Sequence, residues 1–598
     1  MTDSLVIQRS QQQFTQGRSV IQDMYEHRLP DNNNSRYPGE EIKFNNINSI
    51  STYEQPLQIS ETDTIVPYLV VMESDVDLGP PELIKKAVCL KGNISIVSGS
   101  KYVLDNNTLI DYTNNSEILN NFNLLTTMNE QDVKTKGPSM NFAKDTNAFQ
   151  YDDILGETNT YGGEFGNQGA FTRMTETSNV EKEIDALFKT ATYYAKHELS
   201  HVTKDGDSTY LFHFYVRIPL KHVNELFARM PLLRGAVQEI YLQIHTATTT
   251  VSYNSDGKAT SLNLSTTHGS SPYMISDSSL FLPVSIAEVL EVEAVDEVVG
   301  VAEVVTNGTV TTEEVIAVAA VPYQEYVPAG YTPATIKFSS GIAKVLNKTG
   351  QTLNHTKTHC ELIAKVYKLD PALEKGFFNS PEQTIPYKKH LVERLIGVAP
   401  GRSFNFQVTG NIHKMRDLLV LPILSSTVNG QPSTTLGAPE TSLRTFSPLE
   451  SPFTSCGQTC GPYASVTDYQ VLISHQPYYK QPKKLSRDMF DEIKRIGMNG
   501  GMDFGFGNQL LSQSDYDSTH GFLYTDLTRA NSEIDYISTR SLTITGTNDT
   551  PYTMDLICYL GYGARVTIDT SVSKIVIESP QDKDELDEAN HQAMLKAL

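Results

Sequence analysis

The chain has 598 residues, too many for one compact core, so two or three domains are expected. Its 39% hydrophobic and 20% charged residues are ordinary for a globular protein, and no run of about 18 apolar residues is present to cross a membrane as a helix. A formal charge of −22 and a pI near 5.1 exclude the broad basic surface of a protein that coats nucleic acid directly.

The first thirty residues balance Arg9, Arg18 and Arg28 against Asp3, Asp23 and Glu26, so strong direct nucleic-acid binding is not expected there either. Residues 1–13 are polar and lack the apolar centre of a secretory signal. Residues 1–40 show little periodicity and read as an N-terminal arm. Strand signals begin at Ile42, and 64–72 reads as a buried strand. Residues 106–160, rich in Asn, Thr and Gly, read as long loops with short strands. From 210 to 220, Tyr210, Phe212, Phe214, Val216, Ile218 and Leu220 alternate with mostly polar neighbours, as in a sheet with one buried face. Residues 223–230 form a short helix candidate, and Ile240, Leu242 and Ile244 repeat the alternation.

Residues 286–320 are acidic and Val-rich. Asn307-Gly308 between two Val- and Thr-rich runs predicts a β-hairpin with a type I′ turn, inserted as an exposed feature. Further strands are predicted at 362–369, 404–408 and 418–424, with a helical turn at 370–376 capped by Asp370 and Pro371. Ser486 opens a helix to Ile496, with Met489, Ile493 and Ile496 on one face. Four alternating strands follow around Leu542/Ile544, Met554/Leu556/Cys558/Leu560, Val566/Ile568 and Ile575/Ile577, with Gly561 and Gly563 as bends between them. Many short strands, long loops and few helices predict an all-β chain of two tandem β-sandwiches with short helices in the connections. The divisions are an arm at 1–40, a first sandwich at 41–340, a second at 341–580 and a tail at 581–598.

One motif carries possible chemistry. His197-Glu198-Leu199-Ser200-His201 matches H-E-x-x-H, which on a helix sets two imidazoles one turn apart for zinc with Glu198 as general base. The preceding 184–196 could be helical. A turn and a strand follow at once, however, and Glu225 is the nearest third ligand in an unsuitable context. The zinc-peptidase reading is the remote alternative; strand-edge histidines are preferred. Cys456 and Cys460 lack two further zinc ligands nearby, and with Cys89, Cys360 and Cys558 they are too few for a disulfide framework. Cys360, close to His355 and His359, is read as a buried strand residue. No phosphate-cradling loop or nucleophile elbow occurs. No catalytic, cofactor-binding or metal site is assigned, and no cofactor is expected.

Several segments together resemble the double jelly-roll major capsid proteins of virophages and polinton-like DNA viruses. They include Asn34-Ser35-Arg36-Tyr37 through Phe44, Asn106-Asn107-Thr108, Lys136-Gly137-Pro138-Ser139, Ile218-Pro219-Leu220 and Met230-Pro231-Leu232. Cys360 through Tyr367, Asp370-Pro371, Ser451-Pro452-Phe453, Gly500-Gly501, Tyr524 through Arg529, and Gly546 through Tyr559 continue the series in order. The hairpin near 286–320 and the tail after Pro580 depart from it. The resemblance implies two upright jelly rolls per chain and a homotrimeric, pseudo-hexagonal capsomer. It also implies an icosahedral shell with neighbouring capsomers, penton and minor capsid proteins as partners, in a virion made in the host cytoplasm or a virus factory. It implies no enzyme activity. The alternative from another class is a β-rich viral fibre or carbohydrate- or receptor-binding protein.

Overall fold

The protein is described by a computed structural model covering residues 21–31, 41–44, 57–76, 88–113, 115–142, 198–204, 207–233, 237–253, 259–266, 271–275, 288–291, 301–306, 309–314, 324–327, 333–342, 360–370, 382–412, 414–424, 427–428, 431–432, 465–484, 488–490, 516, 521–530, 540–550, 553–569 and 574–578. The N-terminal half of the chain supplies β1 (Ile21–Pro30), β2 (Glu41–Phe44), β3 (Leu57–Ser74), β4 (Val88–Leu90), β5 (Val97–Leu104) and β6 (Asn107–Ile110). Two helices follow, α1 (Ser116–Thr127) and α2 (Glu130–Met140), then β7 (Glu198–Lys204), β8 (Asp207–Pro219), α3 (Glu225–Arg229) and β9 (Gln238–Ile244). An excursion holds β10 (Ala247–Tyr253), β11 (Ala259–Thr266), β12 (Tyr273–Ile275), β13 (Glu288–Glu291), β14 (Val301–Thr306), β15 (Thr309–Glu314), β16 (Gln324–Val327) and β17 (Ala334–Ile342), before β18 (Glu361–Leu369).

The C-terminal half supplies β19 (Glu382–Val398), β20 (Ser403–Ile412), β21 (Met415–Leu424), β22 (Thr427–Val428), β23 (Gln431–Pro432), β24 (Val466–Ile473) and β25 (Gln476–Pro477). It ends with β26 (Leu523–Asp526), β27 (Arg540–Asn548), β28 (Met554–Asp569) and β29 (Lys574–Glu578).

The pairing repeats itself. In the N-terminal half a sheet contains the run β1-β18-β3-β8, and a second sheet is β2-β9-β5-β6. In the C-terminal half the sheets are β19-β28-β21-β26 and β20-β27-β24-β25. Numbering the eight strands of each set in chain order, both sets read 1-8-3-6 and 2-7-4-5. Two four-stranded antiparallel sheets in this order are an eight-stranded jelly roll, and the chain contains it twice. The expected fold class is therefore present.

The pleat explains the layering. In β9 the alternation of the sequence becomes alternation of burial, with Ile240, Leu242 and Ile244 fully buried. Val66, Tyr68, Val70 and Met72 of β3 present a matching buried set. In the second sandwich Tyr479 of the β25 side bonds Thr525 of β26 at 2.8 Å, tying the two sheets together.

Several expectations need correction. Residues 21–30 do not belong to a patternless arm: they are the first strand of the first jelly roll, in register with β18. The sequence conceals this strand because its side chains are mostly exposed, so no buried face imposes a period. Its register is marked by charge instead, with Asp23 opposite Lys368 and Glu26 opposite Lys365. The strand at 361–369, assigned above to the second sandwich, is the eighth strand of the first, pairing with β1 and β3. By strand pairing the division falls between Leu369 and Glu382. Residues 116–140 are two helices, not loops. Three strands replace the four expected after 540, because Gly561 and Gly563 lie within the continuous β28.

The excursion between β9 and β18 extends the first sheet through β17, β10 and β11. It also carries the hairpin read from sequence: β14 pairs β15 with Thr306 opposite Thr309, the spacing of a two-residue turn. Asn307 and Gly308 themselves, the turn at 371–376 and the ends beyond 21 and 578 lie outside the described residues. So does the 486–496 helix, apart from residues 488–490, which are helical.

Candidate functional site

The most built-up polar region among the described residues is the seam where the two sandwiches meet. It forms on the sheet β19-β28-β21-β26. In β28 the even residues Leu556, Cys558 and Leu560 face the second sandwich's own core, and the odd residues Ile557 and Tyr559 face the first sandwich. Leu419 and Leu421 of β21 stand opposite Tyr559 and Ile557, so they share that face, and all four are buried. A sheet covered on both faces reads as an unbroken apolar run, as 554–560 largely does.

Helix α1 lies against this face. Phe122 meets Phe522 edge to face, with ring centroids 4.8 Å apart. Tyr559 donates its hydroxyl to the Asn115 carbonyl at 3.0 Å, and Tyr387 donates to the Leu109 carbonyl at 3.2 Å. Arg229 of α3 donates to the Pro386 carbonyl at 3.0 Å. Burial and the nearby Glu117 carboxylate push the Tyr559 hydroxyl well above its ordinary range, so it stays a donor.

A buried ion pair sits on the same surface. Lys388 Nζ of β19 donates to Asp417 Oδ2 of β21 at 2.8 Å, and Tyr524 OH donates to the same oxygen at 3.3 Å. The strand between them is β28, and the two side chains meet above Gly561. A Cβ there would collide with the Asp417 carboxylate and press on Lys388, while one at Gly563 would sit 3.2 Å from Arg416. These glycines thus leave room for a polar bridge across the central strand. At the end of β19, Arg394 Nη2 pairs with the fully buried Asp555 at 2.6 Å, and the Gly397 amide donates to its other oxygen at 2.9 Å. That carboxylate pins the irregularity between Leu395 and Val398, where Gly397 has φ +77°.

Beside the ion pair the two sandwiches leave a cleft of about 190 Å³. Its walls include Asn120 and Asn123 of α1, Lys221 and His222 after β8, and Lys388 and His390 of β19. Burial holds both imidazoles down, to about 4 in each case; Lys221 and Lys136 reinforce this at His222, and at His390 Lys388 does so against the opposing pull of Asp417. Each histidine therefore folds neutral with a pKa below that of the unfolded chain. Between pH 6.5 and about 4 the unfolded state binds more protons, so stability falls as pH falls through that window. The expected outcome is a thermal midpoint that drops on acidification from pH 6.5 to 4. Replacing both residues by Gln flattens that segment of the profile.

The described part of the H-E-x-x-H segment, Glu198 to His201, is strand and not helix. Glu198 to Lys204 form β7, with Glu198 opposite His213 and His201 opposite Tyr210. The helical turn that would set the motif's two imidazoles side by side is therefore absent from Glu198 to His201. His197 lies outside the described residues, as do Cys456 and Cys460. Cys89, Cys360 and Cys558 are buried, and burial raises the Cys558 thiol well above its ordinary range. None of the seam residues is among those the sequence singles out for function. The pairing of Lys388 with Asp417 has no local sequence signal; the two glycines in an otherwise apolar strand are its visible trace.

No family model and no curated protein matches the chain. Among solved structures it is similar to a chain of the Sputnik virophage determined by cryo-EM, at 10% identity over 94% of this chain and 91% of that one, TM-score 0.48. It is also similar to the mavirus major capsid protein, at 8% identity over 93% and 91%, TM-score 0.43. The Faustovirus major capsid protein aligns at 10% identity over 94% and 98%, TM-score 0.41. What the chain's own pairing establishes is a tandem double jelly roll, its two halves joined through a buried, hydrogen-bonded seam.

Proposed function

We propose that this chain is a major capsid subunit. Three copies form a pseudo-hexagonal capsomer, and capsomers tile the icosahedral shell of a DNA virus. The supporting observation is the duplicated strand order: a single chain holds two equivalent sandwiches side by side, so three chains supply six near-equivalent walls to a hexagonal block. The buried seam makes each pair of sandwiches one unit. The role is structural, without a catalytic step, and the protein works in the virion beside neighbouring capsomers, a penton protein and minor capsid proteins. Its synthesis belongs to the host cytoplasm or a virus factory. A fibre or carbohydrate-binding protein would need one binding sandwich and a stalk, and the repeated order does not fit that plan.

The test is the mass and outline of the purified chain. Light scattering is expected to give three times the 66.4 kDa protomer, and negative-stain images to show hexagonal outlines. A monodisperse monomer at high concentration would overturn the proposal.

A further inference from the structure

The seam inside the chain is a template for a contact between chains. In the second sandwich the opening part of the first strand, β19, is covered by the first sandwich: Lys388 is buried, and Pro386 and Tyr387 bond across the seam, whereas the far end is open, with Ile396 60% exposed. In the first sandwich the equivalent strand is β1. It occupies the same place, next to the eighth strand, yet most of its residues are exposed. Three of the five large hydrophobic side chains exposed among the described residues lie on it: Ile21 at 37%, Met24 at 47% and Tyr25 at 38%.

The pleat fixes which of these matter. Met24 stands opposite Tyr367 and Glu26 opposite Lys365, whereas Tyr25 stands opposite Val366, a core residue. Met24 therefore lies on the outer face of its sheet. That face corresponds to the one bearing Ile557 and Tyr559 in the second sandwich, which the first sandwich covers.

The element doing the covering also has a counterpart. In the first sandwich the cover includes α3, whose Arg229 bonds Pro386, and the turn at Leu220–His222 before it, directly after the sixth strand, whose Lys221 and His222 line the cleft with Lys388 and His390. In the second sandwich the sixth strand, β26, is likewise followed directly by a 3-10 turn, Leu527–Ala530.

We infer that β1 of one copy docks, through Met24 and Ile21, against the segment at Leu527–Ala530 on the second sandwich of another copy, repeating between chains the seam found within one. The inference rests on the trimeric reading and deepens it by naming the contact. A head-to-tail contact of this kind makes a closed ring when the rotation between copies closes, which in the trimeric reading takes three copies.

Two measurements test it, on the full chain. Ile21→Asp with Met24→Asp is expected to weaken trimer association by at least about 30-fold in a dilution series, while circular dichroism and the monomer's melting profile stay unchanged. Met24→Cys with Thr528→Cys, treated with a short bismaleimide, is expected to give covalent dimers and trimers on denaturing gels, and neither single variant should. A wild-type trimer that the double Asp variant leaves equally tight, or a linker yield no greater than that of the single variants, overturns the docking inference alone. A wild-type chain that never trimerises overturns the capsid reading, and this inference with it.

Discussion

Asp417→Ala is expected to lower the unfolding free energy by about 3–5 kcal/mol, the range for stranding one member of a buried ion pair. Lys388 is 4% exposed, and its ammonium would lose the carboxylate 2.8 Å away. Lys388 lies between the two sandwiches, so the damage appears in the packing of one sandwich on the other. Replacing both members, Lys388→Met with Asp417→Leu, is expected to recover most of the loss, because two apolar side chains remove both charges together. Urea titrations of the three variants decide the matter. An Asp417→Ala midpoint equal to wild type would mean the pair is not buried in solution. Gly561→Ala supplies an independent check, since its methyl group occupies the carboxylate's space and should cost on the order of 1–3 kcal/mol through overpacking.

Phe122→Ala is expected to cost about 3–5 kcal/mol and to uncouple the two sandwiches. Phe122 is 6% exposed on α1, and its ring meets Phe522 of the second sandwich. Truncation leaves a cavity at the centre of the seam while both jelly-roll cores stay complete. Calorimetry should then show two separated transitions where the wild type shows one. A single transition at an unchanged temperature would contradict the role given to this contact.

The strands that face one core from one side are legible in the sequence. β9 alternates strictly in sequence and in burial, and β8 does so from Phe214 to Pro219, since period two is what a half-buried sheet imposes; before Phe214, Leu211 and His213 are buried as well. Helix α1 escapes that reading although Ile118, Leu119, Phe122 and Leu125 carry helical spacing. Asn115, Asn120, Asn121 and Asn123 among them have poor helix propensity, and here packing outweighs propensity. The first strand is hidden for the opposite reason, having little burial to leave a pattern. Gly561 and Gly563 are visible but misleading, because a glycine that admits a neighbour's side chain looks in sequence like one that bends the chain. The seam's ion pair is out of reach, since Lys388 and Asp417 come from different strands and meet over a third.

The pairing of β1 with β18 sets a timetable for synthesis. Pro30 lies opposite Glu361, about 330 residues later. At roughly 5–20 residues per second, β1 leaves the ribosome some 17–66 seconds before its only neighbour among the described strands exists. The second jelly roll repeats the arrangement over a shorter span, with Glu382 opposite Asp569. During that interval neither sandwich can close, and the long apolar strand β3 has β8 on one side but lacks β17 and β18 on the other. A nascent chain in this condition exposes a sticky sheet edge to its siblings on the same message. Polysome-bound intermediates should therefore associate with one another or with chaperones, and slowing translation ahead of residue 361 should lower the soluble yield more than slowing it after residue 569.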